Sequence, residues 1–230
     1  MENENEKKII EIVCSGNNGR SPLGSAIAQQ YIVDQGLDNE YEARSSGTSV
    51  DSILAGTYAT KLKKVVLEKG YEHGASVDSD LVKEIEKSDV ESIDKKCAED
   101  SNFQTHFEED VETARLYLAN EEEGHCYHEA ERRGAEQYLD GNFKQTKPNS
   151  ATIAYLTMGE SNKVAVEKMH KDQEQKPIIA VISKYANGEN AEDVPNAFAQ
   201  GPEVYERVAE TLDKIVPAAV DKVVAQYVNN

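Results

Sequence analysis

The sequence predicts an α/β protein: a three-layer α/β/α fold around a four-stranded parallel sheet, with a mainly helical insertion. Three observations predict it. Short apolar, β-branched runs alternate with segments whose apolar residues recur at helical spacing. A loop of small polar residues, Cys14 to Ser21, joins the first such run directly to the first helical segment. Residues 72–150 carry no strand-like run and hold 21 Asp/Glu against 9 Lys/Arg, two thirds of the net charge of −18.

Residues 8–13 read as a buried strand, short and rich in isoleucine and valine. Leu23, Ala26, Ile27 and Tyr31 then mark a helix that glycine stops near Gln35-Gly36. Residues 41–44 form a short second strand. Ile53, Leu62, Val65, Val66 and Leu67 support a further helix ending at Gly70. Residues 151–157 and 177–183 supply the third and fourth strands. Pro202 and Glu203 open a last helix with Val204, Val208, Leu212, Ile215, Val216 and Val220 as its apolar stripe. Pro217 inside that stripe should kink or split it. Strands alternating with helices imply a parallel sheet, and ligands of such sheets sit beyond the C-terminal strand ends, where Cys14 and Asn196 fall.

The 230 residues are enough for one domain spanning 1–230, with 72–150 as an acidic insertion within it. Val111, Ala114 and Leu118, then Tyr127, Ala130, Gly134 and Tyr138, give that insertion its helical spacing. A chain this acidic should repel nucleic acid and anionic membrane surfaces. No run of 18 apolar residues suggests a membrane span, and Met1 to Lys8 is polar, unlike a signal peptide. Cys14, Cys97 and Cys126 are widely spaced and read as thiols of a reducing, cytoplasmic setting rather than a disulfide framework.

The chemistry concentrates in Cys14-Ser15-Gly16-Asn17-Asn18-Gly19-Arg20-Ser21. The strand delivers Cys14 to its C-terminal end. Ser15, Gly16, Asn17, Asn18 and Gly19 are small enough for their backbone N–H groups to turn inward as an anion nest. The helix that follows adds its N-terminal dipole, and the field that binds an oxyanion also stabilises a thiolate. Arg20 offers a planar fork for two phosphate oxygens, Ser21 a hydrogen bond to sulfur, and Asn17 a brace inside the loop. The pattern predicts nucleophilic attack on phosphorus with no metal or cofactor, since the nest and Arg20 supply the positive field. His125 and His128 flank Cys126, with Glu129 and Glu121 to Glu123 nearby, but the two histidines lack the i, i+4 spacing of paired helical ligands and the group reads as a solvated helix face. Tyr185, near the Asn196 segment, is a candidate to line the site, with packing as the commoner role of a tyrosine.

At these residues the chain resembles the low-molecular-weight protein tyrosine phosphatases, whose phosphate loop reads C-x-G-N-x-C-R-S. Cys14, Gly16, Asn17, Arg20 and Ser21 match it. Arg44-Ser45-Ser46-Gly47-Thr48 is similar to the family's S-A-G-T segment, Leu156-Thr157-Met158-Gly159-Glu160-Ser161-Asn162 to its T-M-D-x-S-N segment. Asp193-Val194-Pro195-Asn196-Ala197-Phe198, followed by Gly201-Pro202-Glu203, is similar to its V-P-D-P-aromatic loop. Residues 72–150 have no clear counterpart. The resemblance implies hydrolysis of phosphomonoesters, protein phosphotyrosine above all, through a phosphocysteine on Cys14. The expected partners are a phosphorylated protein or small aryl phosphate, with inorganic phosphate or a similar oxyanion in the loop.

Three departures qualify this. The general-acid aspartate of the family is Asn196 here, and an amide cannot donate that proton. Asp193, three residues earlier, is the carboxylate that could replace it. Gly19 stands for the loop's second cysteine, so no disulfide can form within the loop. Gly159 stands for the aspartate of T-M-D. A phosphate- or phosphoprotein-binding pseudophosphatase is therefore the alternative, and arsenate reduction through a relay with Cys97 and Cys126 a further one.

Overall fold

The computed structural model describes residues 6–228, the side chain of Val228 excepted; Met1 to Asn5, the start of the polar N-terminal segment, lie outside them. The described chain divides into two compact units, one running up to Val50 and from His125 onward, the other Asp51–Gly124.

In the first unit the sheet order is β2-β1-β3-β4, all parallel. The strands are β1 (Lys8–Cys14), β2 (Tyr41–Gly47), β3 (Thr152–Thr157) and β4 (Ile178–Val181). Side chains alternate across a strand. Ile10, Ile12 and Cys14 therefore share one face of β1, packed in the main core with Leu23, Ile27 and Ile32 of α1 (Arg20–Asp34) and Val208, Leu212 and Val216 of α9 (Pro202–Val228). Val13 lies on the opposite face with Tyr155 and with Val166 of α7 (Glu160–Met169). Two faces covered by helices make β1 and β3 nearly continuous apolar runs.

The second unit begins at Asp51, inside the short helix α2 (Val50–Leu54), and holds α3 (Thr60–His73), α4 (Ser79–Lys87), α5 (Val90–Glu99) and the part of α6 (Ser101–Glu131) up to Gly124. Its core is Val66, Leu67, Leu81, Val82, Ile85, Ile93, Phe107, Val111, Ala114 and Leu118. Carboxylates start its helices: Asp78 accepts from the N–H of Asp80 at 2.8 Å, Asp89 from that of Ser92 at 2.7 Å. These side chains satisfy donors that helix geometry leaves unpaired. The acidity of the stretch thus serves helix termini as well as solvation. This unit neither starts nor stops with the acidic stretch 72–150, for Cys126 and Ala130 lie in the sheet core and Asp140 to Thr146 bind β2.

Several elements differ from expectation. β2 runs on through Ser45, Ser46 and Gly47, whose small polar side chains gave no strand signal. The helix drawn from Ile53 to Gly70 is two, α2 and α3, and Gly70 lies within α3. The stop is Gly74, left-handed at φ +102 with its N–H bonded to Tyr71 O at 3.1 Å. Gly70 answers to packing instead, since a Cβ there would stand 2.4 Å from Cβ of Ala114 on α6. The fourth strand ends at Val181, and Ile182 opens α8 (Ile182–Asn187). Pro217 does not split α9.

Candidate active site

The loop between β1 and α1 wraps around the Cys14 sulfur. The Asn17 N–H points at Sγ at 3.2 Å, and Ser21 Oγ lies 3.1 Å from it. Helix α1 starts at Arg20, with no acidic residue in its first turn to compete for the dipole. Cys14, Asn17, Asn18, Gly19 and Ser21 are buried, while Ser15, Gly16 and Arg20 are half-buried.

Asn17 is the fastening. It is fully buried at φ +49, a left-handed conformation that asparagine tolerates better than most residues. Its amide donates to Ser21 Oγ at 3.2 Å and Ser45 Oγ at 2.9 Å, and its Oδ1 accepts from Lys144 N at 2.7 Å. Its carbonyl takes the Phe143 N–H at 2.9 Å. Ser21 Oγ also donates to Ser46 O at 3.1 Å. Gly47 closes β2 against the loop: a Cβ there would meet Ser15 O at 2.5 Å. Any larger residue would push the loop off the strand.

A strap, Asp140 to Thr146, holds the far side. Asp140 takes both N–H and Oγ of Ser45, at 3.0 and 2.6 Å. Gly47 N bonds Lys144 O at 2.8 Å, and Thr146 N bonds Gly47 O at 2.9 Å. The sequence reading placed these residues in the insertion. Their one local signal was the Asp140-Gly141 turn dipeptide, and nothing local says that a turn so far downstream braces the Cys14 loop. Beneath the strap Glu11, buried, bonds Ser46 Oγ and sits 3.4 Å from the Thr152 hydroxyl. Burial pushes its carboxyl up, against the opposing pull of those hydroxyls and of Arg44.

On the other side Asn162 of α7 donates to Ser15 Oγ at 3.0 Å and Thr48 Oγ1 at 3.2 Å. Arg20 Nη1 donates to Val194 O at 3.1 Å, so the fork is tied to the loop that carries Asn196. Asn196 itself is exposed, two residues past that carbonyl. Asp193 is turned to α7, where its Oδ2 accepts the Glu160 N–H at 3.0 Å. Tyr185 packs on the core and donates to Gln226 at 2.9 Å. His125 lies against the Tyr205 ring, and Glu129 pairs with Arg132 and Arg133 at 3.0 and 2.6 Å. Among the described residues no three histidine, cysteine or carboxylate groups are placed to hold a metal. None of Cys14, Cys97 and Cys126 is joined in a disulfide. Cys126 is buried in the core and burial pushes the Cys97 thiol up, the opposite of what a relay thiolate needs. No described helix is long and apolar enough to cross a membrane.

A parallel α/β sheet with a cysteine at the C-terminal end of a central strand, enclosed by a strand-to-helix loop that runs into Arg-Ser at the start of the helix, defines a cysteine-based phosphatase. Residues 9–126 match the family described as low molecular weight phosphotyrosine protein phosphatase, and the chain belongs to it. No curated protein matches the sequence. Among solved structures, the chain is similar to a YwlE mutant from Bacillus subtilis (14% identity, 94% of this chain and 99% of that one, TM-score 0.53). It is equally similar to the low molecular weight protein tyrosine phosphatase of T. tengcongensis (15%, 94% and 99%, 0.54). A third likeness is to VcLMWPTP-2 from Vibrio cholerae O395 (14%, 95% and 98%, 0.55). At such identities these structures attest the shared fold.

Proposed function

We propose that the protein hydrolyses aryl phosphomonoesters, protein phosphotyrosine among them, by covalent catalysis on Cys14. The Cys14 sulfur attacks phosphorus in line; the S–P bond forms as the bond to the leaving oxygen breaks. Water then attacks the phosphocysteine, releasing inorganic phosphate and the thiolate. Arg20 and the loop amides of Ser15 to Gly19 hold the equatorial oxygens as charge spreads over them. Ser21 Oγ, 3.1 Å from Sγ, steadies the departing sulfur when its one proton turns from Ser46 O to the thiolate. The observation that carries this reading is the position of Cys14 Sγ, 3.2 Å from the Asn17 N–H and 3.1 Å from Ser21 Oγ at the mouth of α1. Three cysteines outside any disulfide suit a reducing compartment such as the cytoplasm.

Asn196 at the acid position sets the substrate range. General acid catalysis is worth about 10²–10⁴-fold, and its loss falls hardest on poor leaving groups. The enzyme should favour phenols of low pKa over alkyl alcohols. The test is hydrolysis of p-nitrophenyl phosphate by the reduced protein beside Cys14→Ser. Activity lost in the variant supports the mechanism. A folded, reduced protein without activity would instead be a phosphate-binding pseudophosphatase, the reading that Asn196 favours.

A further inference from the structure

Gly159 leaves a space that another residue occupies. A Cβ at position 159 would lie 2.7 Å from Asp193 Oδ2 and 3.3 Å from its Cγ. Gly159 is the N-cap of α7 and has no side chain with which to cap it. Asp193, 34 residues later, supplies the missing acceptor by taking the Glu160 N–H at 3.0 Å. Two further bonds make this contact consequential. Val194, the next residue, bonds through its N–H to Met158 O at 3.0 Å and through its carbonyl to Arg20 Nη1 at 3.1 Å. Helix α7, which Asp193 caps, carries the Asn162 amide to Ser15 Oγ.

We propose that Asp193 is a positioning residue of the phosphate site: its carboxylate fills the space over Gly159, pins the Val194 carbonyl that orients Arg20, and fixes the helix that presents Asn162. This deepens the phosphatase reading above and rests on it. It also separates Asp193 from the proton-donor role, because the work assigned is that of a hydrogen-bond acceptor, which asparagine can also do.

The test is a substitution cycle read with two substrates and with inorganic phosphate. Asp193→Ala should lower kcat/KM roughly tenfold, the size of a lost cap acting through Arg20. The loss should be equal for p-nitrophenyl phosphate and phosphotyrosine, with a parallel weakening of inorganic phosphate binding measured by calorimetry. Asp193→Asn keeps an acceptor and should recover most of that loss. Gly159→Asp alone should be harmful, since two carboxylates would claim one place, yet in the Asp193→Ala background it should restore activity and phosphate binding. Circular dichroism and melting curves show that each variant is folded; should Asp193→Ala not fold, Asp193→Asn and the double variant still decide. An Asp193→Asn that loses phosphotyrosine turnover but keeps p-nitrophenyl phosphate turnover would overturn the proposal in favour of a proton donor. So would an unchanged Asp193→Ala, or a double variant no better than the single. Wild-type protein that binds phosphate without hydrolysing it sinks the phosphatase reading alone, leaving phosphate affinity to test Asp193. Wild-type protein that does not bind phosphate sinks both.

Discussion

Removing the Asn17 side chain should loosen the whole phosphate loop. Asn17→Gly deletes three hydrogen bonds of 2.7 to 3.2 Å, to Ser21, to Ser45 and from Lys144, all at a fully buried position. At about 0.5–1.5 kcal/mol net each, the loss should be about 2–4 kcal/mol. Asn17→Ala must also place a Cβ-bearing residue at φ +49, which costs roughly 1–2 kcal/mol. Part of this is offset by about 0.4–1 kcal/mol, because alanine restricts the unfolded chain more than glycine does. The alanine variant should therefore be the less stable of the two, by up to about 1.6 kcal/mol. Guanidinium unfolding followed by circular dichroism measures both, with p-nitrophenyl phosphate hydrolysis alongside. Both variants within about 0.5 kcal/mol of wild type, well under one net bond apiece, would refute the fastening role. An alanine variant clearly more stable than the glycine one would refute the left-handed conformation.

Other substitutions probe separate links. Gly70→Ala should lower the melting temperature by an amount equivalent to about 1–3 kcal/mol of overpacking, and adding Ala114→Gly should give much of it back; no change would mean that α3 and α6 do not approach so closely. Glu11 holds its proton more tightly in the fold than in the unfolded chain, whose value is near 4.5. That contribution is fully present below pH 4.5 and is lost as pH rises through the higher folded value. Glu11→Gln, neutral throughout, should melt above wild type at pH 7.5 and converge on it toward pH 4.5; a gap that widens on acidification would contradict the burial of that charge. Asn196→Asp should raise phosphotyrosine turnover on the order of 10²-fold or more with little effect on p-nitrophenyl phosphate, and equal turnover on both substrates would show that position 196 does not face the leaving group.

The first strand, the first helix and the Cys14 loop were legible because each depends on near neighbours. Strand periodicity delivers Cys14, small residues make the loop, and Pro22 and Leu23 follow in a helix. Ser45, Ser46 and Gly47 were not legible as strand, since their place in β2 comes from pairing with Ile12, Val13 and Cys14 rather than from β propensity. Gly70 read as a helix stop because sequence cannot distinguish a glycine that ends a helix from one that admits a neighbouring helix. The acidic composition of 72–150 read as one insertion, although Asp140 belongs to the site and Asp78 and Asp89 to helix caps.

The sequence by itself determined the fold class, the Cys14 thiol and the Arg20 fork, all properties of residue type and short spacing, while the place of Asn196 at the usual acid position came from the family resemblance. Only the tertiary structure decided what holds them: Asp140 on Ser45, Lys144 on Asn17, Val194 on Arg20, and Asp193 in the space over Gly159. Those partners lie 34 to 174 residues apart, and among 43 carboxylates no local rule selects the one or two that chain folding carries to the loop. Hydrogen bonding at 3 Å is set by where the backbone travels, and that path is fixed by the packing of the whole core rather than by any segment of it.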